Sequence, residues 1–198
     1  MTPTRATQDD RYMAACLRLA RRHTGLTASN PSVGTLLVQH QPGGSLIVGR
    51  GITAIGGRPH AERVAIDQAG ERARGATAYV TLEPCAHHGA TPPCATALIE
   101  AGVSRVVTAW IDPDSRVDGK GHAMLEAAGF AVETGVRSSD AARDLQAYLT
   151  RKQLNRPAVT LKLAVSADGY LGRRGEEVAI TGALSRAMVH RLRAEHDA

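Results

Sequence analysis

Apolar residues recur at helical spacing over 8–23, where Met13, Cys16, Leu17 and Ala20 fall on one face. Thr7 stands where an N-cap would, and Asp9 and Asp10 suit the positive end of a helix dipole. VGTLLVQ then reads as a strand, Pro42, Gly43 and Gly44 as a tight turn, and SLIVGRGIT as the returning strand of a hairpin. HAERVAIDQAG is a helix stopped by Gly70, and ATAYVTLEP is a β-branched strand that must end at Pro84. Pro92 and Pro93 open the helix PCATALIEAG, which Gly102 closes. VSRVVTAW is a strand, followed by a helix near 119–128, the strand FAVETGV and one longer helix over about 138–154. A helix, a hairpin and then alternating helices and strands predict an α/β fold: a three-layer α/β/α domain on a mixed sheet, covering 1–150.

At Asn155-Arg156-Pro157 something new begins, and 151–198 is expected to be the start of a second, truncated domain. VTLKLAVSADGYLG looks like a first strand and turn, and ALSRAMVHRLRAEHDA like a helix. One strand and one helix cannot bury a core of their own. The apolar strand VTLKLAV would leave a pairing edge, so docking or self-association into a homo-oligomer is an expectation.

Composition narrows the function classes. The hydrophobic fraction is 43% and the aromatic fraction 3%, so a real core must be built from Ala, Val, Leu and Ile. Residues 1–150 carry 15 Lys+Arg against 14 Asp+Glu (net +1), and 151–198 carry 9 against 5 (net +4). The first domain has no basic face to attract nucleic acid. No apolar run spans a membrane and the N-terminus lacks a secretory stretch, which predicts a cytoplasmic protein. Three cysteines in a reducing compartment do not make a disulfide framework. Cys16 fits the buried face of its helix, whereas Cys85 and Cys94 need another explanation.

That explanation is a metal. His60-Ala61-Glu62, Pro84-Cys85 and Pro93-Cys94 each fall at a predicted loop-to-helix junction. Neutral imidazole and thiolates suit zinc, and three protein ligands leave a fourth position open, as in catalytic sites. Zinc lowers the pKa of bound water to about 7. Glu62, two residues after His60, can face that water without ligating the metal and move its proton to a ring nitrogen under attack. Two readings compete. A closed structural site would recruit a fourth ligand from His87 or His88. A redox pair of Cys85 and Cys94 lacks the usual two-residue spacing. The remaining histidines, His23, His40, His122, His190 and His196, read as solvent-exposed.

VTLEPCAHHGATPPCATALIEAGVSRVV resembles the signature of the riboflavin-biosynthesis deaminase/reductase (RibD) family, within the cytidine deaminase-like superfamily. NPSVG, GGRPHAERVAI, the run 112–121 and RPAVTLKLAVSADG fit the same family. The resemblance covers nearly the whole chain, and the long loop between Cys85 and Cys94 is its most specific element. It implies zinc-dependent hydrolytic deamination of diaminohydroxyphosphoribosylaminopyrimidine. The broader alternatives are another nucleoside or nucleobase substrate, or a non-enzymatic zinc-stabilised domain. It further implies substrate contacts from Asn30, from the Ala61 backbone, from His87 and Thr91 near the ribose phosphate, and from Asp112. In the reductase segment it implies cofactor contacts from Lys162, Ser166 and Asp168, with NADPH serving only a full-length reductase domain. Roughly 45 residues, against about 100–150 for a typical domain, imply no reductase activity from this chain. Family members often carry Lys or Arg at the position of Ala90, His at Thr53, and Asp-Pro-Asn-Pro where this chain has Asp112-Pro113-Asp114-Ser115.

Overall fold

A computed structural model describes residues 4–89, 91–176 and 178–196. Ala90 lies outside the described residues. The backbone divides into two compact units, Met1–Pro157 and Ala158–Ala198.

In the first unit the chain runs α1 (Arg5–Ala20), β1 (Gly34–Gln41), β2 (Gly44–Ile52), α2 (Ala61–Ala69), β3 (Thr77–Val80), α3 (Cys94–Glu100), β4 (Arg105–Thr108), α4 (Lys120–Ala127), β5 (Ala131–Glu133), α5 (Ser138–Asp144) and α6 (Gln146–Leu154). The sheet order is β2-β1-β3-β4-β5. β1 pairs antiparallel with β2 and β3, while β3, β4 and β5 are parallel. This is the mixed sheet of a three-layer α/β/α fold, as the helix–strand order predicts.

The central strands β3 and β4, and most of β1, are buried on both faces because their side chains alternate between two cores, while the edge strands β2 and β5 are largely exposed. Leu37, Ala78, Val80 and Val106 face a core shared with Ala61, Ala65, Ala95, Leu98 and Leu125 from α2, α3 and α4. Leu36, Val38, Tyr79 and Val107 face Met13, Cys16 and Leu17 of α1 and Ala141 of α5. Small residues let the layers approach. A Cβ on Gly51 of β2 would sit 1.9 Å from the Ala61 carbonyl oxygen, so only glycine allows α2 to lie against that strand. Beneath α1 a buried polar cluster is fully paired: Asp9 accepts two hydrogen bonds from Arg105, both at 2.8 Å, and one from the Tyr79 hydroxyl at 2.7 Å.

Several expectations are corrected. The first helix starts at Arg5 and is capped by Thr4, whose hydroxyl accepts from the Thr7 N–H at 3.3 Å; Thr7 is inside it. The single helix expected over 138–154 is two, broken at Leu145. The break has a packing cause. Ala141 of α5 belongs to the α1 core, held by Arg21–Asp144 and Arg137–Asp10 ion pairs. Leu149 of α6 belongs to the opposite core, so the chain must change direction between them. His122 is buried, its Nε2 3.0 Å from the Thr108 hydroxyl, because it lies on the inner face of α4.

In the second unit α7 (Ala183–Ala194) forms, but VTLKLAV does not pair as a strand among the described residues. Val159, Leu161, Leu163 and Val165 are all exposed. A strand exists only against a partner, and the bridge found here, Arg173 to Glu176, is an isolated one. No helix of the described residues is long and apolar enough to cross a membrane.

Candidate active site

The C-terminal ends of the parallel strands and the loops after them converge on a cavity of about 260 Å³. His60 is the N-cap residue of α2, with its side chain free of any capping bond and therefore available. Cys94 is the first residue of α3. Cys85 is not at a helix start, contrary to expectation; it lies in the irregular loop between β3 and α3. That loop is folded against the start of α3, where the Cys94 N–H donates to Cys85 Sγ at 3.2 Å and the Ala95 N–H donates to the Cys85 carbonyl at 3.2 Å. Cys85 thus still meets helix N–H groups, which favour a thiolate.

The ligand atoms of His60, Cys85 and Cys94 all lie within 4.8 Å of one another. Both sulfurs approach the same ring nitrogen, His60 Nδ1, at 3.8 Å for Cys85 and 3.4 Å for Cys94. The titration of the cluster reflects this crowding. The Cys94 thiol and the His60 ring hold the Cys85 thiol down, at about 4, against the opposing effect of burial. The same contact with Cys85, together with burial, pushes Cys94 up. Cys85 in turn raises His60. Two sulfurs and an imidazole competing for protons at this spacing form a donor set that fits zinc. His87 lines the cavity but does not join the cluster, so among the described residues the set has three members and no fourth histidine.

Glu62 is 4% exposed and lines the same cavity. Burial, then the negative charge of Cys85, pushes its carboxyl up to about 7, with His60 opposing. A carboxyl poised there exchanges protons readily at neutral pH. Asn30, His87 and Asp112 also line the cavity. The Asn30 amide donates to the Gly57 carbonyl at 3.0 Å, and His87 Nδ1 is buried with no hydrogen-bond partner among the described residues. Asp112 accepts from the Asp114 N–H at 2.9 Å and the Tyr148 hydroxyl at 2.8 Å. Burial raises its carboxyl, and those two bonds only partly offset this.

Ala61 and Thr91 are not part of the cavity lining: Ala61 is fully buried behind it, and Thr91 is exposed beside Arg58. Lys162, Ser166 and Asp168 belong to the second unit. There Ser166 and Asp168 are hydrogen-bonded to each other and line a cavity of their own, while the Lys162 ammonium donates to the Leu163 carbonyl at 2.8 Å. Thr53 hydrogen-bonds the Val33 N–H through its hydroxyl, at 3.0 Å, and lines the first cavity.

Three features escaped the sequence reading. Glu83, two residues before Cys85, is buried and accepts four backbone N–H groups, from Asp112, Gly119, Gly121 and His122, at 2.8–3.3 Å. It ties the start of α4 to the cavity loop. A Cβ on Gly121 would lie 2.0 Å from the Pro84 carbonyl oxygen, so the glycine at this position of the run 112–121 is a close-approach requirement. Tyr148, Arg151 and Lys152 of α6 form one cavity wall; their i, i+3, i+4 spacing was the available signal. Asp114 is held well below the usual carboxylate range by Arg116 and Lys152, at 2.7 and 2.6 Å.

Residues 6–110 match the family model of the cytidine and deoxycytidylate deaminase zinc-binding region. The chain belongs to that deaminase family. Residues 157–198 match the start of the RibD C-terminal domain. Its curated relatives include RibD proteins. The riboflavin biosynthesis protein RibD of Haemophilus influenzae is 46% identical over 194 residues, 98% of this chain and 51% of that protein. The structure of Acinetobacter baumannii RibD superposes with a TM-score of 0.87 at 44% identity, covering 96% of this chain and 52% of that one. A Thermotoga maritima diaminohydroxyphosphoribosylaminopyrimidine deaminase/5-amino-6-(5-phosphoribosylamino)uracil reductase superposes equally well, at 34% identity and with 96% and 54% coverage. The chain spans about half the length of the curated relatives it matches.

Proposed function

We propose that this chain is a zinc-dependent hydrolytic deaminase of diaminohydroxyphosphoribosylaminopyrimidine in riboflavin biosynthesis, replacing a ring amine by oxygen from water and releasing ammonia. The observation that carries the reading is a buried carboxyl, Glu62, lining one cavity with His60 and Cys85, whose ligand atoms cluster with that of Cys94. Zinc held by His60, Cys85 and Cys94 would supply the Lewis acidity that activates water. Glu62 takes one proton from water as its oxygen bonds to the amine-bearing carbon and gives it to the ring nitrogen; it then takes the second proton from the new hydroxyl and gives it to the amine, and the C–N bond breaks to release ammonia as the carbonyl forms. Asn30, His87 and Asp112, which line the cavity, contact the substrate in this reading, while Ala61 and Thr91 lie outside the lining. The Thermotoga relative carries this activity in its name, at 34% identity.

In this reading the substrate is a small pyrimidine nucleotide-like molecule, the setting is cytoplasmic, and the protein assembles as a homo-oligomer that binds neither nucleic acid nor membrane. Lys162, Ser166 and Asp168 belong to the NADPH-dependent reductase half of such proteins, and no reduction is assigned to these 198 residues. The test is ammonia release from the pyrimidine by the zinc-loaded protein. One ammonia per substrate consumed, abolished by chelation and restored by zinc, is expected. A folded, zinc-bound protein that releases none would overturn the reading.

A further inference from the structure

Four cations line the cavity: Arg58, Arg116, Arg151 and Lys152. Two are committed, since Arg116 and Lys152 both pair with Asp114. Arg58 and Arg151 have no carboxylate partner among the described residues. Ordinary surface arginines extend into solvent, but these two are held back by specific contacts. Arg58 donates from one guanidinium nitrogen to the Thr91 hydroxyl at 3.3 Å. Its other nitrogen crowds Gly89, where a Cβ would come within 3.2 Å. Arg151 donates to the Ser29 carbonyl, and its guanidinium carbon lies 5.8 Å from the centre of the Tyr148 ring. Ser29 precedes Asn30, whose amide donates to the carbonyl of Gly57, the residue before Arg58, so the backbone that Arg151 holds is bonded to the backbone that carries Arg58.

Attack on an amine-bearing ring carbon needs the metal ligands and Glu62, and gives no work to two spare guanidinium groups. A planar guanidinium with free N–H groups matches phosphate oxygens in pairs. We propose that Arg58 and Arg151 are specificity residues that bind the phosphomonoester of the substrate's pentose. The inference rests on the deaminase reading for the identity of that substrate, though the anion site itself stands on the cation geometry.

The test is calorimetric titration of the zinc-loaded full chain, and of its Arg58→Gln, Arg151→Gln and Arg58→Lys variants, with ribose 5-phosphate, ribose and inorganic phosphate. Both side chains are exposed, so zinc content and melting curves should match wild type. Ribose 5-phosphate is expected to bind, more tightly than inorganic phosphate, with ribose showing no heat. Each Gln variant should lose roughly tenfold or more in affinity, the scale of a lost charged hydrogen bond, and Arg58→Lys should recover part of it. Undiminished binding by both Gln variants, no binding by wild type, or equal affinity for ribose 5-phosphate and inorganic phosphate would each overturn the assignment. Ammonia release is read separately. If it persists while the phosphate result fails, the deaminase stands and this site falls; the converse leaves an anion site on a protein with another reaction.

Discussion

Glu83 does most to shape the site without taking part in its chemistry. Its four N–H contacts fix the loop at Asp112 and the start of α4 against the segment that carries Cys85. Glu83→Gln keeps the shape but turns one acceptor oxygen into a donor that faces N–H groups. Denaturant unfolding should report a loss of about 1–3 kcal/mol, the cost of stranding buried donors, and an unchanged midpoint would refute the role. The meeting of His60, Cys85 and Cys94 was legible because metal chemistry restricts the residue types that can serve, and Glu62 follows His60 by two residues. Glu83 was not, since a carboxylate after a strand gives no hint of the backbone groups that will fold back onto it. The Asp9–Arg105 pair makes a pH prediction. Burial alone would raise the Asp9 carboxyl, but the Arg105 and Tyr79 hydrogen bonds and the Arg105 charge outweigh it, leaving it below its ordinary value of 3.8. A depressed carboxyl contributes stability above its unfolded pKa and loses it as pH falls through the folded value. Stability measured below about pH 4 should therefore drop, and Asp9→Asn should flatten that limb while lowering stability at neutral pH.

At the scale of elements, the β-branched runs between turn residues, their order with the helices and the apolar stripe of α1 made the layered fold readable in advance. Strand ends were overestimated: β3 stops at Val80, beyond which the backbone keeps only isolated bonds, Thr81 N–H to the Gly34 carbonyl at 3.1 Å and Glu83 N–H to the Trp110 carbonyl at 2.9 Å, as it runs into the loop that carries Cys85. The break at Leu145 was hidden because 138–154 has uniform helix propensity, and only the need to serve two cores on opposite faces interrupts it. Helix position also governs the site. α2 carries both His60 and Glu62 and rests directly on Gly51. Gly51→Ala should push α2 off β2, costing about 1–3 kcal/mol in unfolding experiments and weakening zinc binding in a competitive chelator titration. Normal zinc affinity in that variant would mean that α2 tolerates the shift without carrying its ligand away.

The chain folds as a packed α/β/α unit and a second unit in which Val159, Leu161, Leu163 and Val165 are exposed. The alternating pattern of that segment was visible in the sequence, but a strand needs a neighbour that the pattern cannot supply. In the first unit three ligands from two loops and a helix start are joined at one point, so metal binding should feed directly into folding stability. Removing zinc should lower the thermal midpoint and open Cys85 to alkylation by maleimide, with Cys16 protected in its core. A midpoint indifferent to chelation would argue that the ligands meet without a metal. The most direct test remains Glu62→Gln beside wild type, with zinc content and ammonia release measured on the same samples. The account predicts equal zinc and a loss of turnover of about 10²–10⁴-fold. Turnover that survives the substitution would contradict it, because the proton shuttle would then lie elsewhere.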